Sequence, residues 1–267
     1  MAVTKPTELG ERALHPQGMS TLGEMLYNIK DVFTRQLDRA RICLPVSASE
    51  EEVIEKAKEL RWKFLHLIGS VITSPDNFDD TPLIKGLDNA YGIANSAVLL
   101  LHHNPDMPNG IRHIVKNVLK PKNIDTGLIV SNFGVLNPML EWCSGAQFFR
   151  VGVEKDEVKD AMRFLKQSDP NSKKALLILC DEAEQASSRR TMFVDVLGHS
   201  LERPTGPLQM AMLAKSAALP VWFQGLDCGV KVNCGEPFLP QKALLQEQMQ
   251  QVADFESQMK LLDPFII

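Results

Sequence analysis

The chain has 267 residues, 44% of them hydrophobic and 23% charged, with 29 Lys and Arg against 33 Asp and Glu. These proportions sit near the soluble globular average, which excludes disorder, a collagen repeat and a coiled-coil rod, and the length is enough to bury a sizeable core. A formal net charge of -4 argues against nucleic acid as a partner, because binding it calls for a basic surface.

Residues 1–18 hold Pro6, Gly10, Pro16 and Gly18 without an apolar period, so a loose N-terminal arm is expected, followed by one α/β domain over 19–267. Leu22, Met25, Leu26, Ile29, Phe33 and Leu37 recur at helical spacing. Ser49 with Glu52 reads as a capping box opening a second helix that carries Val53, Ala57, Leu60, Phe64 and Leu67. The span 19–84 is therefore expected to be helical.

From residue 97 the texture changes to short apolar runs separated by amphipathic stretches, the alternation of a sheet covered by crossover helices. Strands are expected at Ala97 to Leu101, Gly127 to Ser131, Phe148 to Val151, Leu176 to Cys180 and Val221 to Leu226. Helices are expected from Ile111 to Leu119, Pro138 to Ala146, Glu157 to Lys166 and Pro207 to Ala217. Asn137 before Pro138, and Thr205 before Pro207, pair a capping residue with a proline of the first turn. Asp227 to Gly229 predicts a turn returning the chain as a strand from Val230 to Cys234, a hairpin at the sheet edge. A last helix within 241–262 carries Leu245, Met249, Val252, Phe255, Met259 and Leu262 on one stripe. The fold class is thus α/β, a mixed sheet over 85–240 flanked by helices.

The longest apolar runs, Ala97 to Leu101 and Ala175 to Cys180, fall far short of the ~20 residues that cross a bilayer, and no secretory leader pattern opens the chain. A cytoplasmic protein is expected. Cys43, Cys143, Cys180, Cys228 and Cys234 are scattered with no Cys-x-x-Cys pair, which suits neither a disulfide framework nor a zinc site.

His102-His103-Asn104-Pro105-Asp106 directly follows the Ala97 strand, and ligand-binding groups in open α/β sheets gather at strand carboxyl ends. An imidazole beside a carboxylate can take a proton from a hydroxyl, the carboxylate steadying the cation. The same residues also read as a polar loop in which Asn104 and Asp106 satisfy backbone donors. Asp181-Glu182-Ala183-Glu184 follows the apolar strand Leu176 to Cys180 and precedes Arg189-Arg190. Those acids suit either a metal or, with no third ligand near in sequence, an acidic loop paired with the arginines. Arg112, His113, Lys116, Lys120 and Lys122 form a basic helix face, fit either for solvent or for an anionic membrane or acidic carrier protein. Gly-x-Ser-x-Gly, Gly-x-Gly-x-x-Gly and Gly-Lys-Ser/Thr are all absent, which disfavours a serine-hydrolase elbow, a Rossmann cofactor and a P-loop.

Over about residues 30–236 the order of segments resembles the lauroyl/myristoyl acyltransferases of lipid A biosynthesis, within the lysophospholipid acyltransferase superfamily. Asn137-Pro138-Met139-Leu140-Glu141-Trp142 is similar to that family's Asn-Pro-aliphatic-Leu-Asp-Trp helix start. Asp181-Glu182 stands where the family has Asp followed by Gln or His, and Thr191 to Gly198 resembles its Ser-x-Phe-Val-Pro-Phe-Phe-Gly stretch. Thr205-Gly206, Leu213-Ala214 and Ala218-Leu219-Pro220-Val221 resemble its Thr-rich turn, helix and strand, and Ile84 to Asp88 its Gly-Leu-Glu helix.

The departures fall on the chemistry. The family ends its first strand with His, four residues, then Asp or Glu, and a gapless match puts Asn104 and Asn109 there; a match shifted by one position restores His103, with Asp106 three residues later. The family's Arg before the Asn-Pro helix is matched by Phe133, and its basic, Trp-rich C-terminus by Gln246 to Met259.

The resemblance implies transfer of a fatty acyl group from an acyl carrier protein or acyl-CoA (coenzyme A) thioester to a hydroxyl of an amphipathic acceptor. It implies no cofactor and no metal. His103 and Asp106 are then the catalytic pair, with His102, Asn104, Asn109, Asp181, Arg189 and Arg190 on the substrate. Peripheral contact with the inner membrane follows from the basic helix or the C-terminal helix. A catalytically silent relative that binds acyl chains or a partner protein, and a hydrolase passing the acyl group to water, are the alternatives.

Overall fold

Ser49 and Glu52 form the capping box reciprocally: the Ser49 hydroxyl accepts from Glu52 N at 3.3 Å, and Glu52 Oε2 accepts from Ser49 N at 2.6 Å. The helix it opens, α1, covers 50–58. The computed structural model describes residues 40–41, 44, 46–58, 77–102, 107–130, 146–150, 157–166, 172–181, 191–226 and 229–262. The expected arm over 1–18, the helix from Leu22 to Leu37, the helix beginning at Asn137-Pro138 and the turn at Asp227 lie outside these residues.

The described strands β1 (Phe78–Asp79), β2 (Ser96–Leu101), β3 (Ile124–Val130), β4 (Gln147–Arg150), β5 (Lys173–Leu179), β8 (Ala217–Leu226) and β9 (Gly229–Cys234) form one mixed sheet in the order β1-β9-β8-β2-β5-β3-β4. β2 lies parallel to both β5 and β8, and all six of its residues are buried. That explains its unbroken apolar run: a strand covered on both faces has no solvent side to alternate toward. Leu99 and Leu101 join the cluster under α2 (Thr81–Ile93) and α3 (Met107–His113), while Val98 and Leu100 join the cluster on the opposite face. That second face is covered by α4 (Val158–Lys166), α5 (Gly206–Ala214), α6 (Leu245–Leu262) and an antiparallel ribbon of β6 (Thr191–Val196) and β7 (His199–Pro204). Each fully buried aliphatic side chain in these layers contributes about 1.5–3 kcal/mol.

Four sequence expectations change in detail. β8 begins at Ala217 rather than after Pro220. Pro220 O accepts from Gly235 N at 3.0 Å, so the edge on which proline lacks an N–H faces that segment and leaves the pairing with β2 intact. α5 ends at Ala214 because Lys215 turns left-handed at φ 55°, and the Thr205 hydroxyl accepts from Gln209 Nε2 at 2.9 Å instead of capping the helix. The β8–β9 hairpin forms, with Leu226 opposite Gly229, but β1, a strand inside the span 19–84 expected to be helical, pairs with β9 and takes the edge. The helix expected from Ile111 starts at Met107, widens to a π-helix over Ile114–Leu119 and closes as a 3-10 turn over Lys120–Lys122. The β6–β7 ribbon was not expected at all.

On the basic helix, His113 Nε2 meets Asp80 Oδ2 at 3.2 Å and Lys122 Nζ meets Asp88 Oδ1 at 3.4 Å, while Lys116 and Lys120 are exposed. The stripe of α6 turns inward: Met249, Val252, Phe255 and Met259 are buried. These four side chains face the core, while Leu262 at the end of the stripe is exposed. Among the described residues, no helix is long and apolar enough to cross a membrane.

Candidate functional site

Leu101 and Leu179 lie opposite each other in the parallel β2–β5 ladder, and Cys180 N extends it by donating to Leu101 O at 2.9 Å. The two strands therefore end on one rim, as the sequence suggests for Leu101 and Cys180. Beyond the rim their connections part. The chain from β2 reaches α3 on one face, whereas the chain from β5 reaches the ribbon and α5 on the other. Adjacent parallel strands whose connections diverge open a crevice outside their carboxyl ends, the place where open α/β sheets bind ligands.

Two-residue alternation carries His102 onto the face of Leu100, and Cys180 onto the face of Ile178. His102 is fully buried, its ring centroid 5.6 Å from Trp222 and 6.1 Å from Phe255. Its Nδ1 lies 3.4 Å from Val221 O. A carbonyl oxygen only accepts, so Nδ1 carries the proton of that bond and Nε2 is left facing the site. Nε2 is 3.5 Å from Cys180 Sγ and 4.0 Å from Glu256 Oε2. The Cys180 thiol also donates to Leu101 O at 3.3 Å.

Glu256 anchors the polar cluster. Arg203 Nη2 donates to its Oε1 at 2.9 Å and Lys260 Nζ to the same oxygen at 2.6 Å. Arg203 Nη1 donates to the Asp181 carbonyl at 2.7 Å, while its buried Nε has no hydrogen-bond partner among the described residues. Burial pushes the Glu256 carboxyl upward, but the Lys260 ammonium, the Arg203 guanidinium and His102 together outweigh it and hold the group below its ordinary value. Burial is also the main reason the Cys180 thiol is pushed well above its ordinary value, with the negative charges of Asp181 and Glu256 adding to it. Cys180 is thus a protonated thiol at neutral pH, a hydrogen-bonding group rather than a ready nucleophile.

A small cavity of about 10 Å³ adjoins these groups, walled by His102, Cys180, Arg203 and Glu256 on its polar side and by Leu208 and Val252 among its apolar lining. That is room for about one water molecule. Among the described residues no group of three His, Cys, Asp or Glu side chains is placed to hold a metal ion.

Of the residues singled out from sequence, His102 and Asp181 come to one rim and are linked through Cys180, Arg203 and Glu256. Asn109 is buried on α3, the helix of the opposite face, and its Nδ2 has no hydrogen-bond partner among the described residues. His103, Asn104, Asp106, Arg189 and Arg190 lie outside the described residues. Sequence reasoning missed Cys180, Arg203 and Glu256 as site residues. For Glu256 a signal was present: with Lys260 it forms an i,i+4 charged pair set among Val252, Phe255 and Met259, where an apolar stripe leaves no solvent for a charge. Arg203, on an alternating strand, carried none.

The fold and the rim define an α/β protein with a switch-point crevice. In comparison with known proteins, no family model matches the chain and no curated protein does.

Proposed function

We propose that the chain is an acyltransferase working at the β2–β5 crevice, moving a fatty acyl group from an acyl carrier protein or coenzyme A thioester to a hydroxyl of an amphipathic acceptor. The observation that supports this reading is the divergence beyond Leu101 and Leu179, with α3 packed on one face of the sheet and the ribbon and α5 on the other, the topology at which open α/β sheets bind ligands. Within it His103 takes the hydroxyl proton, Asp106 orients and steadies the resulting imidazolium, the new C–O bond forms and the C–S bond breaks with the thiol as leaving group. The thioester supplies the activation, so the protein's work is proton transfer and the holding of two chains. His102 is not assigned the base's role, because its ring is committed to Val221, Cys180 and Glu256. Exposed Lys116 and Lys120 supply the charge for an acidic carrier or for peripheral contact with an anionic inner membrane.

A second reading, binding without turnover, is favoured by Asn109, which occupies the family's acid position in a gapless match and is a buried amide that cannot take a proton near neutral pH. Purified protein incubated with labelled lauroyl-CoA and a lipid extract, scored for transfer, hydrolysis and binding together, separates the readings. Labelled acyl lipid supports the acyltransferase; saturable binding without product supports the silent relative.

A further inference from the structure

One guanidinium joins the C-terminal helix to the carboxyl end of β5. Arg203 extends from the ribbon with Nη1 on the Asp181 carbonyl at 2.7 Å and Nη2 on Glu256 Oε1 at 2.9 Å. The other oxygen of Glu256 faces His102, the residue that follows β2, at 4.0 Å. The ends of both rim strands are thereby referred to one buried carboxylate on α6. Stability alone does not call for this arrangement, because a buried ion cluster is often no better than well-packed apolar side chains of the same volume. A planar fork held at fixed angles does something such packing does not: it fixes the direction of the carbonyl it holds. Lysine at the same place is a compact charge on a flexible stem and lacks the fixed angles of the fork.

We propose that Arg203, held by Glu256, is a positioning residue that fixes the direction of the Asp181 carbonyl beyond the end of β5, and so the alignment of the acyl donor there; the second half of this statement rests on the acyltransferase reading. Arg203 touches no reacting atom. It acts through the Asp181 carbonyl, and Glu256 acts through Arg203.

The test uses the full chain, aspartate-labelled with ¹³C at the carbonyl and histidine-labelled with ¹⁵N, as wild type, Arg203→Lys and Glu256→Gln, with lauroyl-CoA as the acyl donor. Arg203→Lys keeps the charge and Glu256→Gln keeps the volume, so one variant stands in if the other does not fold. Both are expected to shift the Asp181 carbonyl and His102 Nε2 resonances while leaving the Asp125 carbonyl at the far end of the sheet unmoved. Turnover number is expected to fall roughly 10- to 100-fold with KM changed less than about threefold, the pattern of lost alignment rather than lost binding. The double variant is expected to be no worse than the more damaged single one, since both break one relay. An unmoved Asp181 resonance in a folded variant overturns the relay, and so does unchanged turnover in an active enzyme. A wild-type chain without turnover defeats the acyltransferase reading instead, and the relay then stands or falls on the resonances alone.

Discussion

Arg203 Nη2 and Glu256 Oε1 are 2.9 Å apart, with the two side chains 14% and 3% exposed. Removing the carboxylate leaves two buried cations, Arg203 and Lys260, facing each other without compensation. Glu256→Ala is therefore expected to cost about 3–5 kcal/mol, on the order of 10 °C in Tm. The triple replacement Arg203→Met, Glu256→Met and Lys260→Met removes all the charges together and is expected to melt within a few degrees of wild type. Thermal unfolding followed by circular dichroism compares the two; a triple variant as damaged as Glu256→Ala would show that the ions themselves hold the fold.

The same carboxylate sets an acid sensitivity. Its folded value lies below the ordinary 4.5, so between the two values the unfolded chain binds more protons than the folded one. The stability it contributes is fully present above the ordinary value and is lost as pH falls through the folded value. Urea midpoints measured from pH 6 down to pH 3 are expected to fall for wild type, and to fall less steeply for Glu256→Gln. Parallel slopes would assign the acid loss to other carboxylates.

Cys180 is buried and its thiol is held protonated, so the thiolate that alkylating reagents need is scarce in the native state. With iodoacetamide at pH 8, modification of Cys180 resolved by mass spectrometry is expected to be at least ~100-fold slower in native protein than in urea. Native labelling as fast as in urea would make Cys180 an accessible thiolate and reopen a nucleophilic role for the Cys180–His102 pair.

The sheet was legible because its central strands are buried on both faces: Ala97 to Leu101 and Leu176 to Leu179 have to be apolar throughout, and that is the pattern read. The β6–β7 ribbon was not, because Thr191 to Val196 and His199 to Pro204 are half exposed and carry Asp195, Glu202 and Arg203 among their apolar residues. The rim was legible for His102 and Asp181, which follow the strands directly. Arg203 and Glu256 reach it from elements 22 and 53 residues away along the chain from Asp181 and Arg203 respectively, and no spacing rule spans those intervals.

Close packing above the sheet gives a sharper test of the fold. A Cβ on Gly110 of α3 would fall onto the ring of Phe223, which is fully buried on β8. Gly110→Ala is expected to destabilise by about 1–3 kcal/mol or more through overpacking, although alanine favours a helix interior over glycine. Pairing it with Phe223→Leu is expected to restore part of the loss. A more stable Gly110→Ala protein would mean that α3 does not cross β8 at this point.

The proposed acyl transfer is tested at the residues that follow β2. Loss of a general base commonly costs about 10²–10⁴ in rate, so His103→Ala is expected to remove most transfer from lauroyl-CoA, and Asp106→Asn to remove less, because the carboxylate orients and steadies the ring without taking the proton. Donor binding is expected to persist in both, read by the same labelled thioester. His102 is a separate case: its ring is packed among Trp222, Phe255 and Cys180, so His102→Ala is expected to lower Tm as well as activity. If the chain is instead a silent binder, wild type binds acyl thioester without turnover, and restoring the family pattern with Asn104→His and Asn109→Glu is the change expected to bring a trace of transfer. Turnover unaffected by both His102→Ala and His103→Ala moves the chemistry away from the end of β2 altogether.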